Sequence, residues 1–222
     1  MGCSPAQTPE PAPTPIVLHA SITPALNTLR PLFKSCIEEQ PALSLIVSES
    51  PAADFPQNGL AFQWGANNLP GGFAAVLGEE SLVLIAHPQN PRDTIALTDL
   101  QSIYSGTRLE WPDSSSEEVQ PWAYPAGTDI QEIFTALTGG APSPTRATYL
   151  APDPAAMIEA VASSPGAIGF IPRRWLDDRV KVIRVLGLEE NQLVQPILSI
   201  SRSEPEGPEQ SWLLCVQAGL AE

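Results

Sequence analysis

The 222-residue sequence predicts an α/β fold made of two lobes with a ligand cleft between them. Three observations support this. Strand and helix signals alternate from residue 16 onward, the pattern of a sheet covered by helices. A second unit, built the same way, begins near the middle of the chain. A late apolar run over 193–200, followed by a last helix, then offers a route back to the first unit. A chain that crosses twice between two α/β units leaves a cleft, where small ligands bind.

The elements follow in order. Residues 1–15, MGCSPAQTPEPAPTP, have no apolar periodicity and are rich in proline, so they read as a disordered, extended tether. Residues 16–20 form a short apolar strand, and a polar loop begins at Ser21 and Ile22. Thr23 then caps a helix with Pro24 at its first position. Leu26, Leu29, Leu32, Phe33 and Ile37 recur at helical spacing despite Pro31. A second strand covers 43–47 and ends at Ser48-Glu49-Ser50-Pro51, and a third covers 60–64 ahead of the loop GANNLPGG. Two further apolar segments, 73–77 and 81–86, precede a crossing at Asn90-Pro91.

The stretch 97–111, LTDLQSIYSGTRLEW, reads as a Thr98-capped helix that packs through Leu100, Ile103 and Tyr104 and stops at Ser105-Gly106. A strand over 119–123 and a turn over 124–129 lead to a helix with Ile130, Ile133, Phe134 and Leu137 on one face, closed by Gly139-Gly140. A helix over 153–162 turns Met157, Ile158 and Val161 inward; strands over 167–171 and 180–185 follow, and a helix over 211–218 ends the chain. The expected organisation is a tether (1–15), one lobe of 16–88 plus 196–222, and a second lobe of 89–195.

A formal charge of −14 and a pI near 4.4 repel nucleic acid and anionic membrane surfaces. No run approaches the ~20 apolar residues of a membrane-spanning helix. Only two histidines, His19 and His87, are present, which argues against a His-based metal centre, and no cofactor motif stands out. His19 beside Ser21 lacks an acid to orient it, so no catalytic role is assigned. Cys36 and Cys215 are either buried thiols or a disulfide between the first and last helices of an exported protein. Cys3 reads either as the anchor of a bacterial lipoprotein or as an incidental residue of the tether. Arg173, Arg174, Arg179 and Lys181 form a basic cluster, either a solvated edge or a docking patch.

Four stretches, in order, resemble the phosphate-type solute-binding proteins of ABC importers, a family of the type II periplasmic binding protein-like fold. They are IVLHASITPALNTLRPLF, LVLIAHPQNPRDTIALTDLQSIYSGTRLEW, PAGTDIQEIFTALTG and SSPGAIGFIP. The resemblance implies lobes that close on a ligand, no catalysis, and donors from particular loops. Ser21, Ile22 and Thr23 stand at the first such loop, Ser48 and Ser50 at the second, and Ala126, Gly127 and Thr128 at the turn before a helix. That turn normally carries an arginine, and Trp122 occupies its approximate place. The acid expected after the third strand has no counterpart near Trp64 and Asn67. Trp64, Asn67, Trp122 and Tyr124 suit a larger, less charged ligand, or else the tryptophans are packing residues. The expectation is a monomeric, extracytoplasmic lipoprotein anchored through Cys3. It captures a small solute, phosphate or another oxyanion, for an ABC permease. The alternative is a sensor or accessory lipoprotein with an altered or lost ligand site.

Overall fold

A computed structural model describes residues 15–51, 59–66, 69, 72–112, 118–139 and 147–221. Cys3, most of the tether, Asn67 and Gly140 lie outside the described residues.

Strand β1 (Ile16–Ile22) pairs in parallel with β2 (Leu43–Glu49) on one side and β3 (Gly59–Trp64) on the other. β1 runs two residues beyond the expected strand. Ser21 and Ile22 are therefore buried strand residues and not loop residues, held by pairing with Ser48 and Glu49. The following helix is also not continuous from its cap. Pro24–Leu29 forms a 3-10 helix, and α1 (Arg30–Glu38) begins only there. Pro31 has no N–H to give to residue 27 four positions back, so the tighter turn absorbs the break.

β4 (Phe73–Ala86) is one continuous strand of 14 residues, where the sequence suggested two segments. Gly78-Glu79-Glu80 looked like an interruption. Gly78 instead admits Leu220 of the last helix, which would lie 3.0 Å from any Cβ placed there. Glu80 is buried in an ion pair with Arg174, 3.0 Å away. β4 changes partners along its length. Phe73–Ser81 pairs antiparallel with β10 (Val194–Ser201), whereas Leu82–Ala86 pairs with β8 (Ala167–Pro172) and, over its last residues, β9 (Lys181–Leu186). β10 also pairs with β3, giving a first sheet ordered β2-β1-β3-β10-β4. The second sheet continues from β4 through β8 to β6 (Gln120–Ala123) and β7 (Tyr149–Leu150). β9 and the short β5 (Thr94–Ala96) extend its other side. Neither β5 nor β7, at three and two residues, was visible in the sequence.

Helix α2 (Leu97–Tyr104) leaves β5 directly. Ala96 is therefore the extended residue at the cap position, and Thr98, expected to cap, sits in the first turn. Leu100, Ile103 and Tyr104 are buried as expected, and Gly106, at φ 77°, ends the helix in a conformation glycine adopts freely. α3 (Asp129–Leu137) and α4 (Pro154–Ser163) cover the second sheet; α4 is capped by the Asp153 carboxylate, which accepts from the Ala156 N–H at 2.8 Å.

Two aromatic clusters mark the two halves of the core. Phe33, Phe62 and Trp212 pack at centroid distances of 4.6–5.8 Å, joining α1, β3 and α5 (Gly207–Leu220). A Cys36–Cys215 disulfide fastens the same two helices. In the other half, Phe134 of α3 stacks on Phe170 of β8 at 3.8 Å, flanked by Tyr104 and Tyr124.

Candidate ligand site between the sheets

Because β1 and β3 are parallel neighbours, their C-terminal ends meet at one edge of the first sheet, and ligands of open α/β sheets bind at that edge. The residues that leave these strands there are Thr23 and Trp64. From the second half of the molecule, the N-terminus of α3 arrives at the same point. The Asp129 carboxylate, on the first residue of α3, accepts the Thr23 hydroxyl at 2.6 Å and the Trp64 backbone N–H at 3.1 Å through Oδ2. Oδ1 accepts the Ile130 N–H at 2.8 Å. Ile133, one turn further on, packs over Gly65; a Cβ there would approach its side chain to 3.1 Å.

All the groups in this contact are buried, with Thr23 and Trp64 at 0% and 1% exposure. Among the described residues no cation offsets the Asp129 charge. Burial pushes its carboxyl up to about 6 against the three hydrogen bonds that favour ionisation, and Glu132 adds a further unfavourable charge. Glu80 is the contrasting case. Burial also raises its carboxyl, but the Ser81 N–H and the Arg174 guanidinium offset part of the cost. A second link between the halves runs from the Trp175 indole N–H to the Ala25 carbonyl, at 2.7 Å.

The expected site residues divide into three groups. Thr23 is at the meeting point. Thr128 is buried next to it, but its hydroxyl donates to the Pro125 carbonyl at 2.9 Å. Trp64 contributes its backbone N–H, while its side chain is core, with the indole N–H on the Glu80 carbonyl. Ser21 and Ile22 lie in the strand just before Thr23. Ser48 and Ser50 are on the edge strand β2 and beyond its end; Ser48 is exposed, its hydroxyl 3.4 Å from the Ala20 carbonyl, and the Ser50 N–H caps the Ile22 carbonyl. Ala126 and Gly127 are exposed in the turn before α3. Trp122 stacks on Tyr149 of β7 at 5.1 Å, and Tyr124 is buried with its hydroxyl on the Phe170 carbonyl, so both serve packing. The basic cluster is largely neutralised from within: Arg174 pairs with Glu80, Arg179 with Asp177 and Lys181 with Asp93.

Asp129 was not singled out in the sequence. An acid in the first turn of a helix is favourable anywhere, so its local pattern carries no signal. Only the placement of α3 over the ends of β1 and β3 distinguishes it.

A second feature is a cavity of about 440 Å³ beside the strands that join the two sheets. Leu82 and Leu84 of β4 line it together with Phe134 and Leu137 of α3, Val194 of β10, and Arg173. Its size falls in the range of small-ligand pockets, and its walls are mostly apolar.

No protein-family model and no curated protein matches the chain. Solved structures do. A phosphate ABC transporter substrate-binding protein from Clostridium perfringens, with bound phosphate, superposes with a TM-score of 0.75 at 16% identity, over 90% of this chain and 93% of that one. The fold is that of the type II periplasmic binding proteins. An ABC-type phosphate transport receptor from Vibrio cholerae gives 0.70 at 14% identity, over 90% and 93% of the two chains. The reduced regulatory domain of OxyR2 from Vibrio vulnificus gives 0.66 at 15% identity, over 96% and 100%. Transport receptors and a regulatory domain therefore share this architecture, and the fold alone does not choose between those roles.

Proposed function

We propose that the chain is a non-enzymatic, extracytoplasmic solute-binding protein that takes a small ligand between its two lobes and presents it to an ABC-type permease. The observation that carries this reading is the convergence of β1, β3 and the N-terminus of α3 on one buried point, where hydroxyl and backbone N–H donors gather from both halves. Such a point is chemically suited to an oxyanion or a carboxylate. Phosphate or a related oxyanion is the solute class we assign. In this reading the lobes are residues 16–88 with 196–222 and residues 89–195, and β4, whose partner changes from β10 to β8 after Ser81, runs between them. The Cys36–Cys215 disulfide supports an oxidising compartment outside the cytoplasm. Cys3 would then be the lipid anchor of a monomeric protein.

A second reading is a sensor or accessory lipoprotein that keeps the fold with an altered ligand site. It is favoured by the absence of an arginine in the turn before α3, where Trp122 stands in the approximate place, and by the acid already seated on the donors. Losing a charged partner for a buried anion costs ~2–5 kcal/mol of affinity. Thermal-shift screening of the purified protein against phosphate, other oxyanions, sugars and amino acids separates the two. Stabilisation by one solute class supports capture. Silence across the panel leaves the accessory role.

A further inference from the structure

We infer that Asp129 is the resident anion of the interlobe site: its carboxylate takes the donors a bound oxyanion would take, so that the protein closes without ligand and admits a free anion only by displacing its own. This deepens the proposed function and rests on its reading of the ends of β1 and β3 as the ligand site.

The geometry is that of a bound ligand. One carboxylate receives a hydroxyl and a backbone N–H from the first half of the molecule and a helix N-terminal N–H from the second. Substrate-induced closure in two-lobed binders works by the same means, a ligand contacting both lobes at once. Here the contact is covalently supplied, and a tethered group competes at an effective concentration of about millimolar or more. Free anions below that level do not compete.

The surroundings also restrict what could replace the carboxylate. Thr23 and Trp64, on the first half, bring no charge. On the second half, Glu132 is negative, and Tyr124 is held neutral by burial. The site therefore suits a single negative charge better than two: within the assigned class a monoanion such as dihydrogen phosphate is preferred to dianionic phosphate, and formate or acetate serves as the smallest probe. Its pH response follows from the same inventory. The buried Asp129 holds its proton up to about 6, against 3.8 for an ordinary aspartate, so the folded, closed form binds the proton more tightly than an open or unfolded one. The closed form is most favoured below pH ~4, and that advantage is lost as pH rises through about 6.

The test is chemical rescue of Asp129→Gly in the otherwise intact chain. The variant should melt several degrees below the wild type, and millimolar formate or acetate should recover at least half of that loss. The same salts should leave the wild type unmoved. A folded variant that neither anion stabilises, or a wild type stabilised equally, overturns the inference. Asp129→Asn keeps the shape and guards against a glycine variant that fails to fold. Its melting temperature should lose the wild-type fall between pH 4 and 6, and an unchanged pH profile also overturns the inference. A wild type that binds a panel solute while Asp129→Gly goes unrescued would sink the resident-anion idea alone. Rescue of Asp129→Gly with a silent wild type would sink solute capture and leave the resident anion standing.

Discussion

The two ends of α3 face opposite situations. Its first turn is sealed: Asp129 and Ile133 close against Thr23, Trp64 and Gly65. Its last turns are open: Phe134 and Leu137 form a wall of the 440 Å³ cavity beside β4 and β10. The polar end, where the fold leads one to look for a ligand, is occupied by the protein itself. The apolar end holds the space. One helix therefore borders both the interlobe contact and a cavity lined by β4 and β10.

The largest effect is expected at Phe134, where the open end of α3 is stacked on β8. Phe134→Ala removes the stack on Phe170 and enlarges the cavity, and should cost ~3–5 kcal/mol in urea unfolding. A loss below about 1 kcal/mol would mean that α3 is not anchored there. Next comes the pH dependence of the sealed end. A shift from 3.8 to about 6 corresponds to ~3 kcal/mol at most, lost as pH rises from about 4 to above 6. The difference between wild type and Asp129→Asn across that range isolates it from the general relief of charge repulsion on acidification. Thr23→Val removes one donor from a buried carboxylate, and a loss of ~1–3 kcal/mol is expected by the same measurement. The smallest effect belongs to the open end. Leu137→Phe, projecting toward existing space, should change stability by less than ~1.5 kcal/mol and leave the formate response of Asp129→Gly intact. Abolition of that response would show the two ends of α3 to be more tightly coupled than the contacts indicate.

Much of the fold was legible because local chemistry agreed with global placement. The β1–α1–β2 start followed from apolar runs, Thr23-Pro24 and helical spacing, and the end of α2 followed from Gly106. β4 was misread because Glu80 looks like a surface residue until Arg174, 94 positions away, is brought beside it. The Cys36–Cys215 bond was left open for a related reason: two cysteines in apolar helices carry no information about whether α1 and α5 are neighbours. The site was legible only in part. Thr23 was singled out through the loop it begins and lies against Asp129, whereas Ala126 and Gly127 of the turn before α3 stay exposed and the Thr128 hydroxyl turns to Pro125. Asp129 was missed because its role depends on a tertiary approach between two halves of the chain. Trp64 was chosen for its indole, yet it contributes through its backbone.

The most direct measurement of the central claim is small-angle X-ray scattering at about pH 7.5, where Asp129 is ionised, on the ligand-free protein and on Asp129→Gly with and without formate. The wild type should be compact without any added anion, and its radius of gyration should not change with formate. The variant should be expanded alone and should return to the wild-type value when formate is added. A wild type that is open until a solute is supplied, or a variant as compact as the wild type without formate, would contradict the claim that Asp129 holds the lobes together.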